Sequence, residues 1–335
     1  MNHLVTVFHS FSISYYSYFI VRHGLFKRAS IPGEKIPSSK IKVNSQSEQD
    51  GQIISMKKIQ VPGLDPSLQA YRLMYWSDKN KLEAYVAAPK GPGTYSLFIV
   101  CHGGWTVPLD KSHIVEMVNG AEILHFNASG LIGHSAKNLI TVAPLYRGYG
   151  NSTGKVRGIY ENTMDTENAI KAVIHYFNNK KENRHIQDRL YLSGVSMGGA
   201  VVLKVAAERK DIYSVVAISP FVGWNLFGTW AHSHMDNDKW SSFFYSGEEA
   251  YGRFDPQYEI YKKQSVAFEK ITAPALLIQG TADDKAPWEP VKILYEKMAQ
   301  NHQDVTFKLI DGGNHGLTNK TDVLNPILYE WYSAH

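Results

Sequence analysis

Strand-like apolar runs alternate with stretches of helical periodicity along most of this chain. Residues 69–76 and 82–88 are apolar-rich runs on either side of the turn residues Asp78-Lys79-Asn80, which predicts an antiparallel hairpin. Further short strands are predicted at 96–101, 189–193, 214–219, 275–279 and 305–310, of which 96–101 and 275–279 are almost wholly apolar. Runs of that kind suit strands covered on both faces of a sheet. Between them the spacing predicts helices at 111–138, 160–177 and 200–207, and a later one on which Val291, Leu294, Tyr295 and Met298 share a face. Such alternation predicts an α/β domain with a mostly parallel sheet flanked by helices. One insert, 221–268, breaks the rhythm. It carries Trp224, Phe227, Trp230, Trp240, Phe243, Phe244 and Tyr245, and predicts a small helical lid built mostly on its own aromatic core.

Residues 1–55 stand outside the pattern. Positions 4–21 contain no Asp, Glu, Lys or Arg and are long enough for a membrane tether or the apolar part of a signal-like segment. The serines, His9 and the lack of basic residues ahead of this stretch argue against both. Arg22, Lys27 and Arg28 follow it, a placement that keeps the C-terminal side cytoplasmic. The other reading is a disordered stretch or a start assigned too early, with Met56 as an internal start. Residues 28–55, with Pro32 and Pro37, read as a polar linker, so the folded domain is expected at 56–335. The location is then cytoplasmic, or membrane-associated if 4–21 is an anchor. A formal charge of +4, with the bases scattered apart from short pairs such as Lys180-Lys181 and Lys262-Lys263, leaves no stripe for nucleic acid. The single cysteine, Cys101, rules out an internal disulfide. Its place at the end of a strand makes it a point beneath the site where thiol reagents would act indirectly.

The candidate chemistry begins at Gly194-Val195-Ser196-Met197-Gly198, between a predicted strand and a predicted helix. A serine at such a turn is held in strained geometry with its hydroxyl above the end of the sheet, and the helix start offers free N–H groups. A serine hydroxyl needs a histidine to take its proton and a carboxylate to orient that histidine. In α/β-hydrolases these follow in the order Ser, acid, His. Here Asp283 and Asp284 follow the strand at 275–279, and His315 follows the strand at 305–310. Both fall beyond strand carboxyl ends, where open α/β sheets build their sites. The strand at 96–101 runs into His102-Gly103-Gly104-Trp105, a turn whose Gly104 N–H would serve with that of Met197 as an oxyanion hole.

From position 68 onwards the chain resembles the α/β-hydrolase superfamily, and within it the catalytic domain of the prolyl oligopeptidase family. The resemblance lies in Gly194-Val195-Ser196-Met197-Gly198-Gly199, Gly280-Thr281-Ala282-Asp283-Asp284, Asn314-His315-Gly316 and Tyr146-Arg147-Gly148-Tyr149-Gly150-Asn151-Ser152. It implies an α/β-hydrolase fold and a serine peptidase acting on short peptides through Ser196, Asp283 and His315, with Asp283 preferred to Asp284. No cofactor is implied. Two departures stand out. Such peptidases often carry Tyr where this chain has His102, and the stretch before the first hairpin is too short for their usual β-propeller. A carboxylesterase or deacylase acting on small acyl esters is therefore the alternative. Trp105 and Trp288, which flank the two catalytic loops, are candidate substrate contacts together with His102 and Tyr146. The run His232-Ser233-His234-Met235-Asp236-Asn237-Asp238 approaches a metal-ligand spacing, but Asn237 stands where a further histidine is needed, and no metal is expected there.

Overall fold

The computed structural model describes residues 48–109, 138–179 and 181–335. The apolar segment 4–21 lies outside them, as does the helix expected at 111–138 except for its last residue. Nine strands form one sheet: β1 (Ile53–Ile59), β2 (Leu68–Ser77), β3 (Asn80–Pro89), β4 (Gly93–Cys101), β5 (Leu139–Leu145), β6 (Arg184–Val195), β7 (Ile212–Ile218), β8 (Ala275–Gly280) and β9 (Val305–Ile310). Their spatial order is β1-β2-β3-β5-β4-β6-β7-β8-β9. The pairs β1–β2, β2–β3 and β3–β5 are antiparallel, and every pair from β5 to β9 is parallel. The helices are α1 (Ile159–Phe177), α2 (Met197–Glu208), α3 (Trp224–His232), α4 (Asp238–Tyr251), α5 (Glu259–Lys263), α6 (Trp288–Gln300) and α7 (Thr321–Ala334).

The expected hairpin is β2–β3, closed by two residues, Asp78 (φ 46°) and Lys79 (φ 63°). Two consecutive left-handed residues give the turn whose twist matches paired strands. It does not open the sheet, however. β1 lies on its outer side and spans position 56, so a domain boundary between 55 and 56 would cut a strand. Pairing begins earlier still, with the Gly51 N–H donating to the Trp76 carbonyl at 2.8 Å. This edge strand is only half-buried and carries Lys57 and Lys58. It therefore lacks the apolar run that marks the central strands.

The central strands divide their side chains between two cores. Val215, Ala217, Ala275 and Leu277 face the core that includes α1 and α2, while Val216, Ile218, Leu276 and Ile278 pack with Leu324 and Trp331 of α7. Each buried valine, leucine or isoleucine among them contributes about 1.5–3 kcal/mol. A one-residue slip would turn a whole strand's set to the wrong face, so the register is tightly specified. That register aligns the strand carboxyl ends on which the site stands.

The insert is helical, as its composition predicted. Trp224, Phe227 and Phe244 are buried, with Phe227 and Phe243 ring centroids 4.6 Å apart, whereas Tyr245 is exposed. In the metal-like run, Asn237 caps α4 by accepting from the Lys239 and Trp240 N–H groups, and His234 stacks on Trp230.

A polar knot fastens the hairpin to α1 and to the loop after β5. Arg147 donates to both carboxylate oxygens of buried Asp165 and, at 2.9 Å, to Asp78 in the hairpin turn. Ser77 also donates to Asp165 at 2.7 Å. Removing one member of a buried pair leaves the other charge uncompensated. Arg147→Met is expected to lower stability by about 3–5 kcal/mol, read as a fall in the urea midpoint, while Lys292→Met at the exposed Lys292–Glu296 pair changes it by about 1 kcal/mol or less.

Candidate active site

β6 lies between β4 and β7, with Gly194 paired to Cys101 on one side and Ala217 on the other, and Val195 paired to Ile218. This register puts the turn after β4, the serine after β6 and the residue after β7 side by side. Ser196 has φ 59° and ψ −124°, an elbow strained by about 1–3 kcal/mol for a side-chain-bearing residue. Surrounding contacts hold it there: its N–H donates to the Ile218 carbonyl at 2.9 Å, and its carbonyl accepts from Gly199 and Phe221. The flanking glycines are required by close approach. A Cβ at Gly194 would lie 2.2 Å from the Gly198 carbonyl oxygen, and one at Gly198 would lie 2.2 Å from that of Cys101.

Asp283 and His315 follow β8 and β9. The His315 Nδ1–H donates to the Asp283 carboxylate at 2.9 and 3.0 Å. That carboxylate also accepts from the Lys285 and Ala286 amides at 2.8 and 2.9 Å and from Gln279 Nε2 at 2.9 Å. Burial acts to raise its pKa, but the hydrogen bond and charge of His315 and the two amides outweigh burial and hold it below the ordinary aspartate value. Asp284 is not in this constellation; it is exposed and pairs with Lys285 at 2.9 Å. The His315 loop is tied to the elbow region by the Gly316 N–H, which donates to Ser219 Oγ at 3.0 Å. Ser219, buried and with φ 45°, follows β7 directly.

The glycine turn after β4 packs on the elbow. A Cβ built on Gly103 would lie 3.7 Å from Ser196 Oγ. Among the described residues the N–H groups of Gly104 and Met197 have no hydrogen-bond partner, while the Trp105 N–H donates to Tyr149 Oη at 2.9 Å. The structure therefore brings together Ser196, Gly104 and Met197 at one group of strand ends, with Asp283 bound to His315 beside them.

Two expected substrate contacts are corrected. Tyr146 is fully buried, and its hydroxyl donates to the His102 carbonyl at 3.2 Å. The His102 ring is also buried, its centroid 4.3 Å from that of the tilted Tyr146 ring, with Nδ1 2.6 Å from the Gly103 carbonyl oxygen. Both support the turn from behind and are closed to substrate. Trp105 and Trp288 are half-buried. Cys101 is buried and its thiol is pushed up to about 12 by burial, so thiol reagents have no reactive thiolate to attack. Sequence reasoning missed Ser219, Gln279 and Tyr149. The one local signal was for Ser219, placed immediately past a strand end.

Burial lowers the His102 pKa from 6.5 to about 4, the Gly103 carbonyl opposing this only partly. The unfolded chain then binds the extra proton first, so stability is complete above pH 6.5 and falls as the pH drops toward 4. The loss amounts to about 3 kcal/mol at one pKa unit per 1.36 kcal/mol. Urea unfolding of parent and His102→Asn across this range should show the extra acid sensitivity in the parent alone.

With this geometry in hand, comparison with known proteins places the fold and the family. The uncharacterized peptidase YtmA of Bacillus subtilis is 24% identical over 250 residues, covering 75% of this chain and 87% of its own length. The acylaminoacyl peptidase of Pyrococcus horikoshii superposes with a TM-score of 0.60 at 15% identity, covering 80% of this chain but only 41% of that one. The rice cell wall degrading esterase LipA of Xanthomonas oryzae gives 0.59 at 11% identity, covering 85% of this chain and 98% of that one. These likenesses establish the α/β-hydrolase fold. Residues 136–333, more than half of the sequence and including Ser196, Asp283 and His315, match the prolyl oligopeptidase family, and the chain belongs to that family of serine hydrolases.

Proposed function

We propose that this protein is a serine peptidase of short peptides that works through an acyl-enzyme formed on Ser196. The observation that carries the reading is the His315–Asp283 hydrogen bond, set on the loops beyond β8 and β9 beside an elbow that holds Ser196 at φ 59°. Ser196 Oγ attacks the scissile carbonyl as His315 Nε2 takes its proton, and the C–O bond forms. Asp283, kept ionised by its amide donors, holds the proton on Nδ1 and stabilises the imidazolium. The carbonyl oxygen becomes an oxyanion between the N–H groups of Gly104 and Met197, donors of a kind whose individual loss costs about 2.7–4 kcal/mol in the barrier. His315 then protonates the departing amine as the C–N bond breaks. Water repeats the sequence on the ester, releasing the acid and restoring Ser196.

Family membership supports the peptide substrate, as does the description of the Bacillus relative as a peptidase. The same groups hydrolyse an ester with a better leaving group, so a carboxylesterase acting on small acyl esters is the reading to test against. One purified preparation would be assayed for kcat/KM on p-nitrophenyl acyl esters and on N-terminally free and blocked peptide p-nitroanilides. Ser196→Ala should lower kcat on the order of 10⁶-fold with an unchanged fold. Anilide turnover lost in that variant supports the peptidase, and the free-to-blocked ratio reports whether an exposed amino terminus is needed. Ester turnover without anilide cleavage replaces this reading with the esterase. Full activity in the alanine variant overturns both.

A further inference from the structure

We propose that His102 is the positioning residue of the oxyanion turn: by holding the Gly103 carbonyl, its Nδ1–H aims the Gly104 N–H at the carbonyl oxygen under attack. This rests on the reading of Ser196 as nucleophile and Gly104 as oxyanion donor, and states how that donor is fixed. The Gly103 carbonyl and the Gly104 N–H belong to one planar peptide unit and point in opposite directions from it. Whatever fixes the oxygen fixes the N–H. The contact is 2.6 Å, and because a carbonyl only accepts, the ring proton sits on Nδ1 and the lone pair on Nε2.

Among the described residues Nε2 has no hydrogen-bond partner, although it is buried. An unpaired acceptor is unfavourable there, and a hydrocarbon ring would fill the same space between Tyr146 and Tyr149 without it. The imidazole is accounted for by its other nitrogen. The next peptide unit is held as well, since Tyr149 Oη accepts the Trp105 N–H, and a Cβ on Gly104 would lie 2.4 Å from that hydroxyl. Gly104 is thus pinned on both sides while its own N–H stays unpartnered among the described residues. Burial keeps the ring neutral down to about pH 4, so the contact keeps one protonation state through the working range.

Leu and Asn have nearly the same shape and both delete the imidazole, but only Asn restores an N–H donor where Nδ1 stood. Parent, Ser196→Ala, His102→Leu, His102→Asn and His102→Phe would be compared for kcat and KM on p-nitrophenyl butyrate. Each would also be tested for inhibition by an aryl trifluoromethyl ketone, whose serine adduct carries an oxyanion. His102→Leu is expected to lose about 10²-fold in kcat with KM little changed, the size of effect of a catalytic group displaced by about 1 Å, and to bind the ketone correspondingly less well. His102→Asn should recover most of both. His102→Phe keeps the ring without a donor and should behave as the leucine variant, standing in for it if that protein does not fold. Parent-like kcat in the leucine and phenylalanine variants, or equal losses in leucine and asparagine variants, overturns the proposal. If Ser196→Ala is inactive in that case, only the His102 assignment falls; if it is fully active, the nucleophile reading falls first.

Discussion

The site depends on the parallel register of β4, β6, β7 and β8. Cys101 beside Gly194, Val195 beside Ile218, and Ile218 beside Ile278 bring four strand carboxyl ends into line. From that line the groups of the site need only short excursions: three residues from Cys101 to Gly104, one from Val195 to Ser196, three from Gly280 to Asp283. The register itself is secured far from the chemistry by side chains packed on both faces of the sheet. Glycine at 194 and 198 then lets the elbow close to backbone contact, with positions where a Cβ would approach a carbonyl oxygen to 2.2 Å. A strained serine is sustained because its N–H and carbonyl are both occupied by neighbouring backbone, so relaxing φ would break those bonds.

The chemistry-bearing residues were legible because each sits beside punctuation. Ser196, Asp283 and His315 all follow a strand within a few residues and lie in glycine-rich surroundings, a local pattern that a sequence displays directly. The contacts that hold them were not legible. Gly316 meets Ser219 across 97 positions, and the Trp105 N–H meets Tyr149 across 44. Hydropathy and spacing carry no record of such pairings. The misreading of Tyr146 has the same origin. An aromatic residue beside a glycine-rich loop looks alike in sequence whether it faces a substrate or the back of a turn, and only the 3.2 Å bond to the His102 carbonyl separates the two. β1 escaped notice for a different reason. An edge strand with one face in water needs no apolar run.

Polar contacts carry the hairpin's influence to the oxyanion turn. Glu83, buried in β3, accepts from the Asn151 N–H, and its own N–H donates to Ser152 Oγ, while Ser152 donates to the Leu145 carbonyl. Arg147 joins the same loop to Asp165 and Asp78. The loop so fixed presents Tyr149, whose hydroxyl receives the Trp105 N–H. A buried network of this kind is rigid when every member is satisfied, and fragile when one is removed. Disturbance in the hairpin should therefore reach the turn through Tyr149.

The helical insert is attached to both halves of the site. On the oxyanion side, Trp224 Nε1 and Tyr251 Oη both donate to the Thr106 carbonyl, at 3.3 and 3.0 Å, from a buried aromatic cluster. On the acid side α3 packs against α6, the helix that follows the Asp283 loop, and Lys239 lies 3.9 Å from Asp284 between exposed groups, an ionic contact of a kind worth about 0–1 kcal/mol. Two hydrogen bonds to a backbone carbonyl distinguish the oxyanion-side attachment. Substitutions at Trp224 or Tyr251 should then be felt at Thr106 and at the glycine turn two residues before it. The aromatic residues of the insert, largely consumed in their own core, thereby act on the site through the backbone they hold.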